Sequence, residues 1–301
     1  MNDSLGDRMK WYERRYSQVA MPTIPIIARI DGRAFHTFTT GLARPYDTRL
    51  SELMVNTTRF LIQETDARCG YTQSDEISLV WFTETPHSET FFGGEISKLI
   101  SVVASLATAY FNKHLPVLLP EKREVLATFD NRVWELPNAT EAANYFVWRE
   151  KDATRNSISM AARSVYSHTE CHKKKSAELQ EMLFQKGINW NDYPNFFKRG
   201  TYVRRRSIER PFTPDELSNL PPQHHARTNP GMVYKRSVVM AENFPPLTKI
   251  VNRADVIVFG SDPITEDDID RRYQKVMAGN IPIEKIEAAV LKVKEERESN
   301  D

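Results

Sequence analysis

Two short segments constrain this chain most: Ile30-Asp31-Gly32-Arg33 and Gln73-Ser74-Asp75-Glu76, whose first aspartates stand 44 positions apart at the edges of apolar runs. Residues 24–30 read as a buried strand that delivers Asp31 at its C-terminal end. Residues 69–72 and 77–82 read as two strands, and the polar quartet between them as a hairpin turn. The intervening stretch 48–66 carries Leu50, Leu53, Met54, Thr57 and Leu61 at three- and four-residue spacing, which predicts one amphipathic helix. Asp47-Thr48 supplies its start signal. Strand, helix, hairpin is the first half of a split β-α-β unit. In that arrangement the first strand can lie beside the hairpin, so Asp31 and Asp75 would meet above one sheet face. Converging carboxylates make an oxygen-rich site for Mg²⁺, which suits chemistry on phosphates.

The pattern continues with an apolar-striped helix over 95–114 and a fourth strand over 125–129. That strand ends in Asp130-Asn131-Arg132, and 133–136 extend it. The order β-α-β-β-α-β is then complete, and it predicts an α+β protein with a ferredoxin-like palm. The palm with its N-terminal helix (2–18) is expected to fill residues 1–140. A second region, 141–235, reads as helices over 140–167 and 176–186, a basic strand over 200–209 and a loop-rich stretch punctuated by proline over 211–246. A small C-terminal segment, 236–301, would hold a strand at 256–259 and a charged helix at 283–298.

Composition excludes several classes. The 301 residues are 40% hydrophobic and 27% charged, ordinary for a globular chain, and the formal net charge of +1 argues neither for nor against nucleic acid. Cys69 and Cys171 make no disulfide framework and no metal-ligand spacing, which favours a reducing, cytoplasmic setting. The N-terminal region has no apolar stretch long enough for a membrane. No Ser-His-Asp or Cys-His arrangement stands out, and His36 and His114 lack ligand-spaced partners. Two basic stretches remain: 173–175, and the cluster of Lys198, Arg199, Arg204, Arg205, Arg206 and Arg210. Either is a solvated face or a surface for RNA phosphates, where bound cations gain by counterion release. Strand alternation would put Arg204 and Arg206 on one side and Arg205 on the other.

Asp31 or Asp75 alone is an ordinary strand-end or turn residue; their conjunction on one expected sheet is the stronger signal, and Gly32 lets a backbone carbonyl approach a ligand. The surrounding residues resemble a known family. Arg29-Ile30-Asp31-Gly32-Arg33-x-Phe35-His36-x-Phe38, Arg44-Pro45-x-Asp47, Gly70-Tyr71-x-Gln73-Ser74-Asp75-Glu76-x-Ser78, Phe129-Asp130-x-Arg132-Val133, Trp148-Arg149-x-x-Asp152 and Lys198-Arg199-Gly200-Thr201 are similar, in order, to the tRNA-His guanylyltransferase superfamily. The match covers roughly residues 5–205.

The resemblance implies a 3′-to-5′ nucleotidyltransferase with a palm domain and two Mg²⁺, using ATP and GTP as substrates on the 5′ end of tRNA. It implies Asp31, the Gly32 carbonyl and Asp75 as metal ligands, and Glu76 as a third acidic catalytic residue. Gly32, Arg33, Ala34, Phe35, His36, Arg44, Asp47, Ser74, Asp75, Lys98 and Arg132 would bind nucleotide. Asp152, Asn156, Lys198, Arg199, Arg204 and Arg206 would handle tRNA. It also implies a homotetramer. Where eukaryotic members carry His-Ile-Asn-Asn, this chain has Thr154-Arg155-Asn156-Ser157, which resembles the members that repair truncated tRNA 5′ ends by template pairing. A palm-domain nucleotide cyclase or oligonucleotide synthase, and a non-catalytic RNA-binding module, are the rival readings.

Overall fold

The computed structural model describes residues 4–277. Six strands form one antiparallel sheet: β1 (Ile26–Gly32), β2 (Cys69–Gln73), β3 (Glu76–Trp81), β4 (Phe129–Glu135), β5 (Thr201–Arg210) and β6 (Tyr234–Glu242). Their order is β4-β1-β3-β2-β5-β6. The first four strands reproduce the expected palm, and β5 and β6 widen it beyond β2. Among the described residues eight α-helices precede β5: α1 (Leu5–Arg14), α2 (Phe35–Phe38), α3 (Thr48–Thr65), α4 (Ile96–Leu118), α5 (Ala139–Arg163), α6 (His168–Cys171), α7 (Ser176–Gln185) and α8 (Asn195–Arg199). No helix among the described residues is long and apolar enough to cross a membrane.

Strand alternation assigns each face a layer. Ile26, Ala28 and Ile30 of β1 join Leu53, Met54 and Leu61 of α3 and Leu99, Val103 and Phe111 of α4 in one core. Ile27 turns the other way, into a core with Ala142, Tyr145 and Phe146 of α5. The result is helices, sheet, helix, with Arg29 and Asp31 on the α5 side. Close packing demands small residues at particular points: a Cβ on Gly70 would stand 2.7 Å from the Thr58 methyl group and 3.0 Å from Ile62 and Leu79.

Helix starts follow the sequence signals. Asp47 caps α3 by accepting from the Arg49 N–H, and the Arg49 guanidinium, bonded to the same carboxylate, holds the Asp47 carboxyl below the usual range. Asn138 caps α5 by accepting from the Glu141 N–H. Glu150, buried in α5, accepts from the Leu247 N–H at 3.1 Å and the Tyr202 hydroxyl at 3.1 Å, which ties α5 to β5 and to the segment after β6.

Four expectations differ from the structure. The fourth strand starts at Phe129, not 125, because β1 ends at Gly32, which pairs with Phe129. Before that point Asn112 of α4 takes both the N–H and the C=O of Ala127, replacing a strand partner. The stretch 256–259 is a π-helical turn (Asp255–Phe259), with Val256, Ile257 and Val258 all buried. A short apolar run satisfies either conformation on periodicity alone. β6 crosses position 235/236 and lies inside the stretch read as loop, so the sheet continues where a separate C-terminal segment was expected. The helix expected over 283–298 lies outside the described residues.

The fourth difference concerns Arg204. Its side chain is fully buried, donates to Glu242 and to the carbonyls of Val256 and Ser261, and lies 4.6 Å from the centre of the Phe244 ring. Arg206 pairs with Glu242 and Asp262. Shared alternation does place both arginines on one face, but that face is covered by the chain after β6 rather than offered to RNA. Arg204→Ala should therefore lower unfolding stability by about 3 kcal/mol in urea titration, because the Val256 and Ser261 carbonyls lose their donor and Glu242 keeps only Arg206. The salt dependence of RNA binding should stay as in the wild type; a changed salt slope would restore Arg204 to the RNA surface.

Candidate active site

The site is built where β1 ends against the β2–β3 hairpin. Asp31 pairs with Glu76 on one side and Asp130 on the other. Gln73 and Glu76 close a two-residue turn, Ser74-Asp75, in which Ser74 takes a φ of 56°. The Gly32 N–H donates to the Asp75 carbonyl at 3.1 Å, so backbone alone latches the strand end to the turn. Gly32 cannot carry a side chain here, since its Cβ would fall 2.3 Å from the Phe35 ring. Phe35 is itself held among Phe38, Phe111 and Phe129.

Helix α5 crosses above this corner. The Arg149 guanidinium donates to both carboxylate oxygens of Glu76, at 2.6 and 2.7 Å, and to Asp152 at 3.1 Å. Burial raises the Glu76 carboxyl, and Arg149 and Arg29 pull it back down. Glu76, expected as the third acidic residue beside Asp31 and Asp75, lies across from Asp31 and spends both oxygens on docking α5. Asp152 also accepts from Arg155.

Among the described residues no cation pairs with Asp75 in this way. Burial raises its carboxyl above the usual range, the Ser74 hydroxyl donating at 2.9 Å pulls it back, and the Asp31 charge pushes it up again. Two neighbouring carboxylates beside a glycine carbonyl form a donor set suited to a hard divalent cation. Among the described residues no group of three or more His, Cys, Asp or Glu side chains forms a metal cage. Mg²⁺ is usually held by one or two carboxylates with substrate phosphates completing the shell.

Two cavities meet at the turn. The larger, about 600 Å³, is walled by Gly32, Ala34, Phe35, His36, Arg44, Asp47, Ser74 and Asp75 among others, with Tyr46 packed on Phe196 and Phe197 of α8 at its side. The smaller, about 430 Å³, is walled by Asp31, Ser74, Asp75, Glu76, Arg149, Asp152 and Asn156. Most residues expected from sequence therefore converge here. Arg33, Lys98 and Arg132 line neither cavity: Lys98 pairs with Glu95 on α4, and Arg132 lies on the edge strand beside Asp130. Lys198, Arg199, Arg204 and Arg206 also line neither; the Lys198 ammonium is spent on the Asn191 carbonyl, with the Trp190 ring beside it. Thr154 donates back to the Glu150 carbonyl within α5, Ser157 donates to the Lys198 carbonyl and ties α5 to α8, and Asn156 faces the smaller cavity.

Sequence reasoning missed Met160, Arg163 and the α8 phenylalanines as wall residues. The α5 members could have been found, since Asp152, Asn156, Met160 and Arg163 recur at four- and three-residue spacing on one helix face. Phe196 and Phe197 could not, because nothing local ties them to the turn.

A family model described as tRNAHis guanylyltransferase matches residues 6–137. The tRNA(His) guanylyltransferase of Schizosaccharomyces pombe is 32% identical over 69% of this chain and 83% of its own length. The chain belongs to the tRNA(His) guanylyltransferase family. A mimivirus protein of uncharacterised function is also 32% identical, over 69% of this chain and 80% of its own. Among solved structures, a bacterial tRNA(His) guanylyltransferase-like protein in complex with ATP superposes with a TM-score of 0.68 at 35% identity, covering 82% of this chain and 95% of its own. The counterpart in complex with GTP gives 0.64 at 34% identity over the same shares. Membership makes this chain a nucleotidyltransferase with the palm fold.

The electrostatics of Asp75 have a measurable sign. Its ionisation is opposed in the folded state, so the metal-free fold is less stable above the raised folded pKa and regains that stability as pH falls through it. In EDTA, Asp75→Asn should melt a few degrees above the wild type at neutral pH, with the gap closing on acidification. Melting curves that show no gap at neutral pH would refute the assignment of Asp75 as a partly buried, cation-poor carboxylate.

Proposed function

We propose that this protein extends the 5′ end of tRNA in the 3′-to-5′ direction, with GTP as the preferred added nucleotide and ATP as the activator of a 5′-monophosphate end. The observation that carries this reading is the pair of cavities sharing the Ser74-Asp75 turn: one chamber for an incoming nucleotide, one for the nucleotide it joins. Asp31, Asp75 and the Gly32 carbonyl would hold Mg²⁺, which when bound neutralises charge on the reacting phosphates.

The chain's own residues do the positioning. The latch between Gly32 and Asp75 fixes both carboxylates on one rigid corner. Arg149, braced by Glu76, holds α5 above them and closes the smaller chamber. In the proposed step the 3′-hydroxyl of the incoming nucleotide gives up its proton to solvent as its oxygen forms a bond to the 5′ phosphorus, and the bond to AMP or pyrophosphate breaks in line. Arg44 in the larger chamber is placed to offset the negative charge on the phosphates. No nucleophilic side chain is required.

Within this reading the chain repairs truncated 5′ ends by template pairing, and Thr154-Arg155-Asn156-Ser157 supports that over obligate addition of G to tRNA-His. A homotetramer and a cytoplasmic location belong to the same proposal. The face of α1 supports assembly, because that helix buries none of its residues and exposes Leu5, Met9 and Tyr12.

The protein should be incubated with Mg²⁺, ATP, GTP and a 5′-monophosphorylated tRNA lacking its first nucleotide. Growth at the 5′ end is expected, abolished to background by Asp31→Ala and by Asp75→Ala. G should be added more readily opposite C than opposite A. Growth that survives both substitutions would dismiss the metal assignment, and a cyclic or oligomeric product from ATP or GTP alone would favour the rival palm enzymes.

A further inference from the structure

Arg163 closes α5 and lines both cavities. The wall common to the two chambers consists of Gln73, Ser74, Asp75, Met160 and Arg163, so Asp75 and Arg163 are its charged members. Three other cations nearby are committed, Arg149 to Glu76 and Asp152, Arg155 to Asp152 and Lys198 to the Asn191 carbonyl, and Arg29 lines neither chamber. Arg163 is exposed, and among the described residues no hydrogen bond or ion pair engages its guanidinium. Arg44 lines only the larger chamber.

We propose that Arg163 is a shared phosphate clamp, whose guanidinium holds phosphate oxygens of the nucleotide in either chamber across the Ser74-Asp75 turn. The inference rests on the nucleotide-transfer reading above. A planar fork of donors suits phosphate oxygens, which it can take in pairs, and a position on the common wall lets one side chain serve both occupants. It would also offset the repulsion between two phosphate groups brought together beside Asp31 and Asp75. A cation in the last turn of a helix gains from the carbonyl dipoles in any case. That gain, however, is independent of whether a ligand carries phosphate, which makes the two roles separable.

The test uses the full-length protein and four ligands: GTP, guanosine, and truncated tRNA with a 5′-phosphate or a 5′-hydroxyl. Binding is measured by calorimetry for the wild type, Arg163→Ala and Arg163→Lys. Arg163→Ala should weaken GTP about tenfold to a hundredfold while leaving guanosine unchanged, the size of a lost charge-assisted contact. It should also erase most of the preference for phosphorylated over hydroxyl-ended tRNA. Arg163→Lys, which keeps the charge but not the fork, should recover part of the loss on both arms. Unchanged guanosine binding doubles as the control for folding. Equal losses for GTP and guanosine, or a response on only one arm, would overturn the clamp while leaving the transferase reading intact. A wild type that binds no GTP would overturn both together.

Discussion

The ion pair between Arg149 and Glu76 holds the working arrangement together. Glu76 sits on β3 directly across from Asp31, and Arg149 sits on the helix that covers that face. Both side chains are largely desolvated, a cost that two parallel hydrogen bonds and the mutual charge offset. Because the bond is bidentate it fixes the orientation of α5 as well as its distance. Everything that faces the sheet from α5, from Asp152 to Arg163, takes its place from that contact. Glu150, next to Arg149, locks the same helix to β5 and to the Leu247 N–H, so the docking is anchored from both sides.

The corner beneath is charged in the opposite sense. Asp31 and Asp75 are held together by backbone geometry, and neither has a cation of its own among the described residues. Such a corner is unfavourable until something positive arrives, and that is the property expected of a site built to take a divalent ion together with phosphates. Arg149 and Arg155, on the helix above it, are spent on Glu76 and Asp152, which keeps the two aspartates available.

The palm core was legible because its signals are local. Short apolar runs bounded by polar turns gave β1 and the hairpin, three-four spacing gave α3 and α4, and Asp47 marked a helix start that the structure uses as a cap. The convergence of Asp31 and Asp75 followed from topology, since the split β-α-β order puts the first strand beside the hairpin. The misreadings have a common cause: they depend on what covers a segment. Arg204 and Arg206 looked like a cationic surface because alternation says which side a residue faces, and not whether that side is solvent. Residues 256–259 looked like a strand because three buried apolar residues in a row fit a strand or a tight helical turn equally well.

The sequence by itself determined the order of the palm elements, the two aspartates and the glycine between strand and loop, and membership of the family whose motifs surround them. These are properties of short segments, set by side-chain period, capping and backbone permissiveness. Only the tertiary structure decided which charges are spent and which are free. Glu76 is bound to Arg149, Lys198 to a carbonyl and Arg204 to Glu242, whereas Arg163 is left on the wall between two chambers. That division depends on desolvation and on partners distant in the chain, and no local pattern encodes either.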